Sequence, residues 1–377
     1  MMFDGNGGPD LFFPPHEEFR QRLSGLIENL TVELTRQSRR NFRQIDFLCA
    51  EIDRLTRGYL LFLGQVNAAR VQQENAAKTA EETAGLRRVW GAASSRINLF
   101  RLEINKWPTI RALVHEQRKP KRQALYHQQS KIPATTFSQM GASDDVFHWL
   151  HAMLNPAEQS ADAQDHACFP DIALANSEFH EHMHAAYRVA LAQKRGSALR
   201  FLDVGCGGGL KVLTANRYFP KADGFDFDPA YVAAAQRLIA LDDRLACHVF
   251  QQDALTYEGY GSYDVIYFYR PISDEPVLME MERRIIAQAR PGTILIAPYV
   301  SFPERHQELG CGHIDGAVYV AGMSPRKADL LRIKAERVGQ YIVKPDQAPL
   351  RSIWAALLQV SRSNGFDIPD RYTKPKY

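Results

Sequence analysis

Apolar residues in the first part of the chain recur at helical spacing, with Phe19, Leu23, Leu26 and Leu30 forming one stripe. After the polar, basic run "TRQSRRNFRQ" the pattern resumes at Ile45, Leu48, Ile52, Leu55, Tyr59, Phe62 and Val66. These positions alternate three and four apart, the a/d seam of a coiled coil or a tight helical bundle. Helix-forming residues continue to Pro108, which predicts two or three long helices across 16–105. Two uses of the seam stay open: pairing with a second copy as a homo-oligomer or docking a partner, or an intramolecular bundle covering the rest of the chain. Residues 106–175 lose the periodicity and read as an irregular linker and lid segment, with "LNPAEQSADAQDHACFPD" as a polar, proline-bounded loop.

From Leu199 onward the rhythm changes. The apolar runs "ALRFLDVG", "ADGFDF", "ACHVFQQD", "SYDVIYFY" and "GTILIAPYV" alternate with the helical stretches "KVLTANRYF", "PAYVAAAQRLIAL" and "DEPVLMEMERRIIAQA". Strands and helices alternating at this spacing predict an α/β fold, a doubly wound and mainly parallel sheet covered on both faces. The expected organisation is a helical region over 1–105, the linker and lid over 106–175, and a Rossmann-like domain over 176–322. Residues 323–377 remain, as a helical extension or as the completion of the sheet.

Composition narrows the class without naming it. The 377 residues are 45% hydrophobic and 24% charged, ordinary for a soluble globular protein. The start lacks the basic and apolar regions of a signal peptide, and no apolar run is long enough to span a bilayer, so a cytoplasmic protein is expected. The five cysteines (Cys49, Cys168, Cys206, Cys247 and Cys311) are scattered and form no C-x-x-C pair, which argues against a zinc ribbon or a redox dithiol. A net charge of +3 does not suggest a nucleic-acid partner, and the basic excess sits in residues 1–133. The basic segment from Arg118 to Lys131 reads as solvated surface. In "FHEHMH" only His180 and His184 share a helix face and no third ligand follows, so no metal is expected.

The chemistry concentrates at "RFLDVGCGGGLKVL". A P-loop needs Lys followed by Ser or Thr after its last glycine, and Lys211 is followed by Val212. The dinucleotide fingerprint needs glycine at 210 or 212, where leucine and valine stand. What remains is D-x-G-x-G-x-G, formed by Asp203, Gly205, Gly207 and Gly209 around Cys206. Twenty-one residues beyond Gly205 comes Asp226, followed by Phe227, and the third strand ends in Asp253 and Ala254. Over residues 198 to about 300 this series resembles the class I S-adenosylmethionine-dependent methyltransferases. The resemblance implies S-adenosyl-L-methionine as cofactor, lying over the glycines. It implies Asp203 toward the ammonium, Asp226 toward the ribose hydroxyls, Phe227 as an adenine wall, and Asp253 with the Ala254 amide toward adenine. Asp228, just before Pro229, reads instead as a helix N-cap.

The acceptor is narrowed by exclusion. Methyltransferases acting on base amines carry an Asn/Asp-Pro-Pro-aromatic sequence after the fourth strand, and cytosine enzymes a Pro-Cys; this chain has Tyr269-Arg270-Pro271-Ile272. Tyr269 and Arg270 suit a hydroxyl or an anionic acceptor, and Arg270 suits a structural salt bridge equally well. In "YVSFPERHQELGCGHIDG", expected as a loop at the active-site end, His313 is the preferred general base beside Glu304 and His306. The expectation is O-methylation of a small molecule or glycan. A protein lysine or arginine acceptor stands as an alternative, as does a non-catalytic cofactor-binding scaffold assembled through the N-terminal helices.

Overall fold

The computed structural model describes residues 9–36, 41–118, 120–126, 133–156, 158–195, 198–343 and 350–368. The chain divides into two compact units, residues 1–119 with 348–377, and residues 120–347.

The first unit is helical: α1 (Phe13–Arg36), α2 (Phe42–Ala76), α3 (Ala80–Ile104) and α4 (Trp107–Arg118), joined by a helix from the far end of the chain, Ala355–Ser363. Thr79 starts α3 with a reciprocal capping box to Glu82, satisfying two amides that a helix end leaves orphaned. All seven seam residues of α2, from Ile45 to Val66, are buried in one apolar core with Leu23, Ile27, Leu30 and Leu34 of α1 and Trp90, Ile97 and Phe100 of α3. The seam is filled within the chain, so these positions are not available to a second copy. The Tyr59 hydroxyl, fully buried, sits 2.8 Å from Nδ1 of His16, and desolvation pushes the phenol up and the imidazole down.

For residues 323–377 two readings stood open, a helical extension or the completion of the sheet. The helix over Ala355–Ser363 lies in the helical unit and not in the sheet. Trp354 is fully buried in the helical core, its indole stacked 5.2 Å from that of Trp107, and its Nε1–H donates to the Glu103 carbonyl at 2.8 Å. Leu357 and Leu358 follow it into the same core.

The second unit begins with α5 (Ala134–Leu154) and α6 (Ala161–Asp165), helices where an irregular linker was expected, followed by α7 (Asn176–Ala192). The sheet follows as β1 (Arg200–Val204), α8 (Leu210–Ala215), β2 (Lys221–Asp226), α9 (Pro229–Ile239), β3 (Cys247–Gln251), β4 (Val265–Phe268), α10 (Glu275–Gln288) and β5 (Ile294–Ile296). It ends with α11 (Phe302–Arg305), β6 (Cys311–Asp315), β7 (Val318–Ala321) and α12 (Pro325–Ala335); the helix over Ala355–Ser363 is then α13. The strand order is β3-β2-β1-β4-β5-β7-β6. β1 to β5 run parallel, and β7 enters antiparallel between β5 and β6.

Alternation along the strands divides the core. Phe201, Tyr267, Ile294 and Ile296 face α7, α8, α9 and α12, whereas Leu202, Val204, Ile266 and Leu295 face α10. The doubly wound expectation is borne out, and the sheet is complete at β7. Among the described residues no helix is long and apolar enough to cross a membrane. Of the basic segment, Lys119 and Lys131 lie outside the described residues, and Arg118 and Arg122 pair with Asp46 and Glu336.

Replacing a fully buried indole by a methyl group leaves a cavity the bundle cannot close. Trp354→Ala is expected to cost about 3–5 kcal/mol, read as a lower urea midpoint for loss of the helical signal.

Candidate functional site

The parallel strands all end at one edge of the sheet, and the turn after β1 sets the site's floor. Gly205, Gly207 and Gly209 adopt φ of 77, 51 and 82°, a left-handed backbone that side chains resist. The loop folds back on β2: the amides of Gly205 and Cys206 both donate to the Phe225 carbonyl, and the Gly207 amide donates to Oδ2 of Asp226 at 2.9 Å.

Above this floor lies a segment that reads in the sequence as a plain loop. A methyl group on Gly207 would overlap the Asp171 carboxylate, and one on Gly208 would overlap the Asn155 side chain. The loop is glycine-rich here so that the chain's own residues 155, 156 and 158–172, a strap, can reach its backbone. Oδ2 of Asp171 accepts from the Gly208 amide at 3.2 Å and from Asn155 Nδ2 at 2.8 Å, and lies 3.1 Å from Nε2 of His151. Burial alone would raise the Asp171 carboxyl; the His151 contact, the Lys211 charge and the Asn155 amide outweigh it and hold the carboxyl low. Nζ of Lys211, itself buried, donates to the Ile172 carbonyl at 3.1 Å, and the Tyr231 hydroxyl accepts from the Asp171 amide.

The strap also zips onto the loop after β4. The Phe169 amide donates to the Pro271 carbonyl at 2.9 Å, the Ser273 amide to the Ala167 carbonyl at 2.7 Å, and Cys168 bridges Ile272. Between strap and strand ends runs a cleft. Strap residues from His166 to Ile172 form one wall; Asp226, Phe227, Gln252, Asp253, Ala254 and Tyr269 to Ile272 form the other, with Gly205 and Lys211 at the base.

Three carboxylates cluster here in different surroundings. Asp226, at the end of β2, accepts from the amides of Gly207 and Asp228; burial outweighs those bonds and pushes it up to about 6. Asp203 is fully buried beneath the strap, and neither of its oxygens has a hydrogen-bond partner among the described residues. Burial pushes it up to about 8, opposed by the Lys211 charge and helped by Asp171 and Asp226. Asp253 turns its Oδ1 back to the Leu255 amide at 2.8 Å. Asp228 caps α9 through the Ala230 amide and takes the Ser160 amide from the strap, in line with its expected cap role.

Of the residues singled out in the sequence, Gly205, Asp226, Phe227, Asp253, Ala254, Tyr269 and Arg270 line the cleft, with Cys206, Gly207, Gly209 and Asp203 beneath or behind it. Phe227 carries the His166 ring at 4.2 Å. His313 is not brought there. It lies exposed on edge strand β6, not on a loop, three places along the sheet from β4, with Nε2 2.9 Å from the Gly316 carbonyl and Tyr319 beside its ring. The helical histidines go separate ways: His180 to the Tyr218 hydroxyl, His182 to Tyr126 and Glu178, His184 to the Gln340 carbonyl. No group of three metal-ligating side chains occurs among the described residues. The residues that sequence reasoning missed are His151, Asn155, Phe169, Asp171 and Lys211; the closest signal was "CFPD", an aromatic and an acid around a proline inside a polar loop.

No family model and no curated protein matches the chain. Solved structures match parts of it. The magnesium protoporphyrin IX methyltransferase ChlM from Synechocystis PCC 6803 is 14% identical, over 52% of this chain and 100% of its own, with a TM-score of 0.32. The amino pentose methyltransferase CalS10 from Micromonospora echinaspora is 24% identical over 33% of this chain and 52% of its own, TM-score 0.28. The sugar N-methyltransferase KedS8 from Streptoalloteichus sp ATCC 53650 is 24% identical over 32% and 48%, TM-score 0.26, so the chain spans about half the length of these two sugar enzymes. The [4+2]-cyclase SpnF also matches, at 17% identity over 46% of this chain and 73% of its own, TM-score 0.30. With five parallel strands, an antiparallel β7 inserted beside β5 and a glycine loop after β1, the second unit has the class I, Rossmann-like fold of the S-adenosylmethionine-dependent methyltransferases.

Proposed function

We propose that this protein is a methyltransferase that uses S-adenosyl-L-methionine and methylates a hydroxyl of a small molecule or glycan. The observation that carries the reading is the set of carboxylates at three successive strand ends: Asp203 near the end of β1, Asp226 closing β2 and Asp253 just after β3. Their chemistry fits the cofactor's groups one by one. Asp203, a buried carboxyl with both oxygens unpartnered among the described residues, suits an ammonium. Asp226 keeps lone pairs beyond its two amide bonds and suits vicinal ribose hydroxyls. Phe227, Asp253 and Ala254 suit the adenine end.

Bound there, the cofactor supplies a methyl group already activated by a sulfonium. The protein's part is to orient and to exclude water. Asp171, Asn155 and His151 hold the strap on the glycine loop and close the cleft from above. Tyr269 and Arg270 form the wall after β4 on which an acceptor rests. The absence of Asn/Asp-Pro-Pro-aromatic and Pro-Cys sequences there continues to argue against a nucleobase acceptor. Because the α2 seam is filled within the chain, the reading requires no second copy.

Calorimetry with S-adenosylmethionine and S-adenosylhomocysteine tests the cofactor directly. Both are expected to bind with Kd below about 100 μM, and the absence of binding by either would sink the reading. Asp226→Ala is expected to weaken both by about tenfold or more, the loss of a charged acceptor.

Stability against pH offers a second test. Asp203 stands at about 8 in the folded protein against 3.8 for the ordinary carboxyl, so the folded state holds an extra proton between those pH values. Stability therefore falls as pH rises through that window. Asp203→Asn removes this component and leaves the smaller slope below about pH 6 that Asp226 contributes. The variant is expected to be more stable than wild type at pH 8 without cofactor, by about 2 kcal/mol. It should also gain less thermal stability on adding S-adenosylhomocysteine. An equal gain in both proteins would remove Asp203 from the cofactor's ammonium.

A further inference from the structure

We infer that the acceptor carries a compact oxyanion, a carboxylate or a phosphate, and that Arg270 is the residue that takes it. The inference rests on the methyltransferase reading and adds the acceptor's chemical class to it.

Arg270 lines the cleft with φ of 46°, a left-handed conformation unusual for a residue with a long side chain. The strain persists because Arg270 lies between the end of β4 at Phe268 and a segment pinned to the strap. The Phe169–Pro271 and Ser273–Ala167 hydrogen bonds and the Cys168–Ile272 bridge follow it directly, and Ala167, opposite Ser273 at the far end of this zipper, is itself left-handed at 54°. Two left-handed residues at the two ends of one short zipper are costly, and a plain surface turn has no use for them. They place the Arg270 side chain at the cleft and not along the strand.

The guanidinium's surroundings then separate a binding role from a structural one. The Phe169 ring lies 5.0 Å from it and gives the cation a face to rest on. Its nearest carboxylate, Glu275, is 4.0 Å away and partly exposed, a distance at which an exposed pair contributes little. Glu275 is instead gripped by Arg305 at 2.5 Å, and Arg305 also binds the buried Glu282. Nε of Arg270 is buried without a hydrogen-bond partner among the described residues. The other lysine or arginine of the cleft, Lys211, is turned to the Ile172 carbonyl and to the rings of Tyr267 and Tyr269. Arg270 thus brings an uncompensated, planar, forked donor to the cleft wall. That donor set matches a carboxylate or a phosphate through two parallel hydrogen bonds, and no neutral hydroxyl uses it fully.

The test uses the full-length protein, alone and saturated with S-adenosylhomocysteine, titrated with benzoate, phenyl phosphate and the neutral isostere benzamide. Wild type is expected to bind an anionic probe at least about tenfold more tightly than benzamide, one bidentate charged contact. Which of the two anions wins distinguishes a carboxylate from a phosphate. Arg270→Gln should abolish the preference, and Arg270→Lys should retain part of it, with S-adenosylhomocysteine affinity within about twofold of wild type in both. A wild type that does not separate anionic from neutral probes overturns the proposal, as does an Arg270→Gln protein that still does. A loss of S-adenosylhomocysteine affinity of about tenfold in both variants would also overturn it, by giving the guanidinium to the cofactor. If S-adenosylhomocysteine fails to bind wild type, the cofactor reading falls, and the probe titrations on the protein alone still decide the role of Arg270. Should Arg270→Gln not fold, Arg270→Lys with the wild-type comparison carries the decision.

Discussion

The seating of the Asp171 carboxylate on the glycine loop is the contact around which the site is organised. It is possible only because positions 207 and 208 have no side chain, so a carboxylate and an amide from the strap can occupy the space that Cβ atoms would take. From that contact the rest follows. His151 and Asn155 tie α5 to the loop, Lys211 reaches the Ile172 carbonyl, and the strap is brought near enough to zip onto the loop after β4. The cleft has a second wall because one anionic group found a place against backbone amides.

The same closeness explains the electrostatics. Asp171 is satisfied by His151, Asn155 and a loop amide and ionises readily, whereas Asp203, on β1 just before that loop and wholly desolvated, does not. Two carboxyl groups of one pocket are pushed in opposite directions by the number of donors each can reach. A protein that keeps an unpartnered acid in its interior gives up stability there, and such groups concentrate where a ligand completes the set.

The helical unit shows a different economy. A seam of alternating three and four spacing is equally compatible with a partner helix in trans and with neighbours in cis, because periodicity reports only that a face is to be buried. Here α1, α3, α4 and α13 bury it. The last of these comes from the other end of the chain, and Trp354 reaches the Glu103 carbonyl across 251 positions of sequence.

Strand and helix rhythm, the glycine loop and the spacing from Gly205 to Asp226 were all legible in the sequence. Each depends on interactions a few residues long, or on the repeat of one βαβ unit. Asp226, Phe227, Asp253 and Ala254 line the cleft for that reason: the end of a strand is a local property, and parallel strands bring their ends to one edge. His313 was misplaced because a glycine-flanked histidine reads as loop, whereas pairing with β7 makes it strand. The strap was invisible because nothing in "SADAQDHACFPD" announces that its aspartate will meet a glycine 37 positions away. The sequence by itself determined the sheet, its order of elements and the edge at which chemistry gathers, since hydrogen-bonding period and burial alternation are short-range. Only the tertiary structure decided which side chains close the site, which acid is left without a partner, and that the last helix belongs to the first bundle. Those outcomes are set by which distant surfaces fill each other's space, and no local pattern records that.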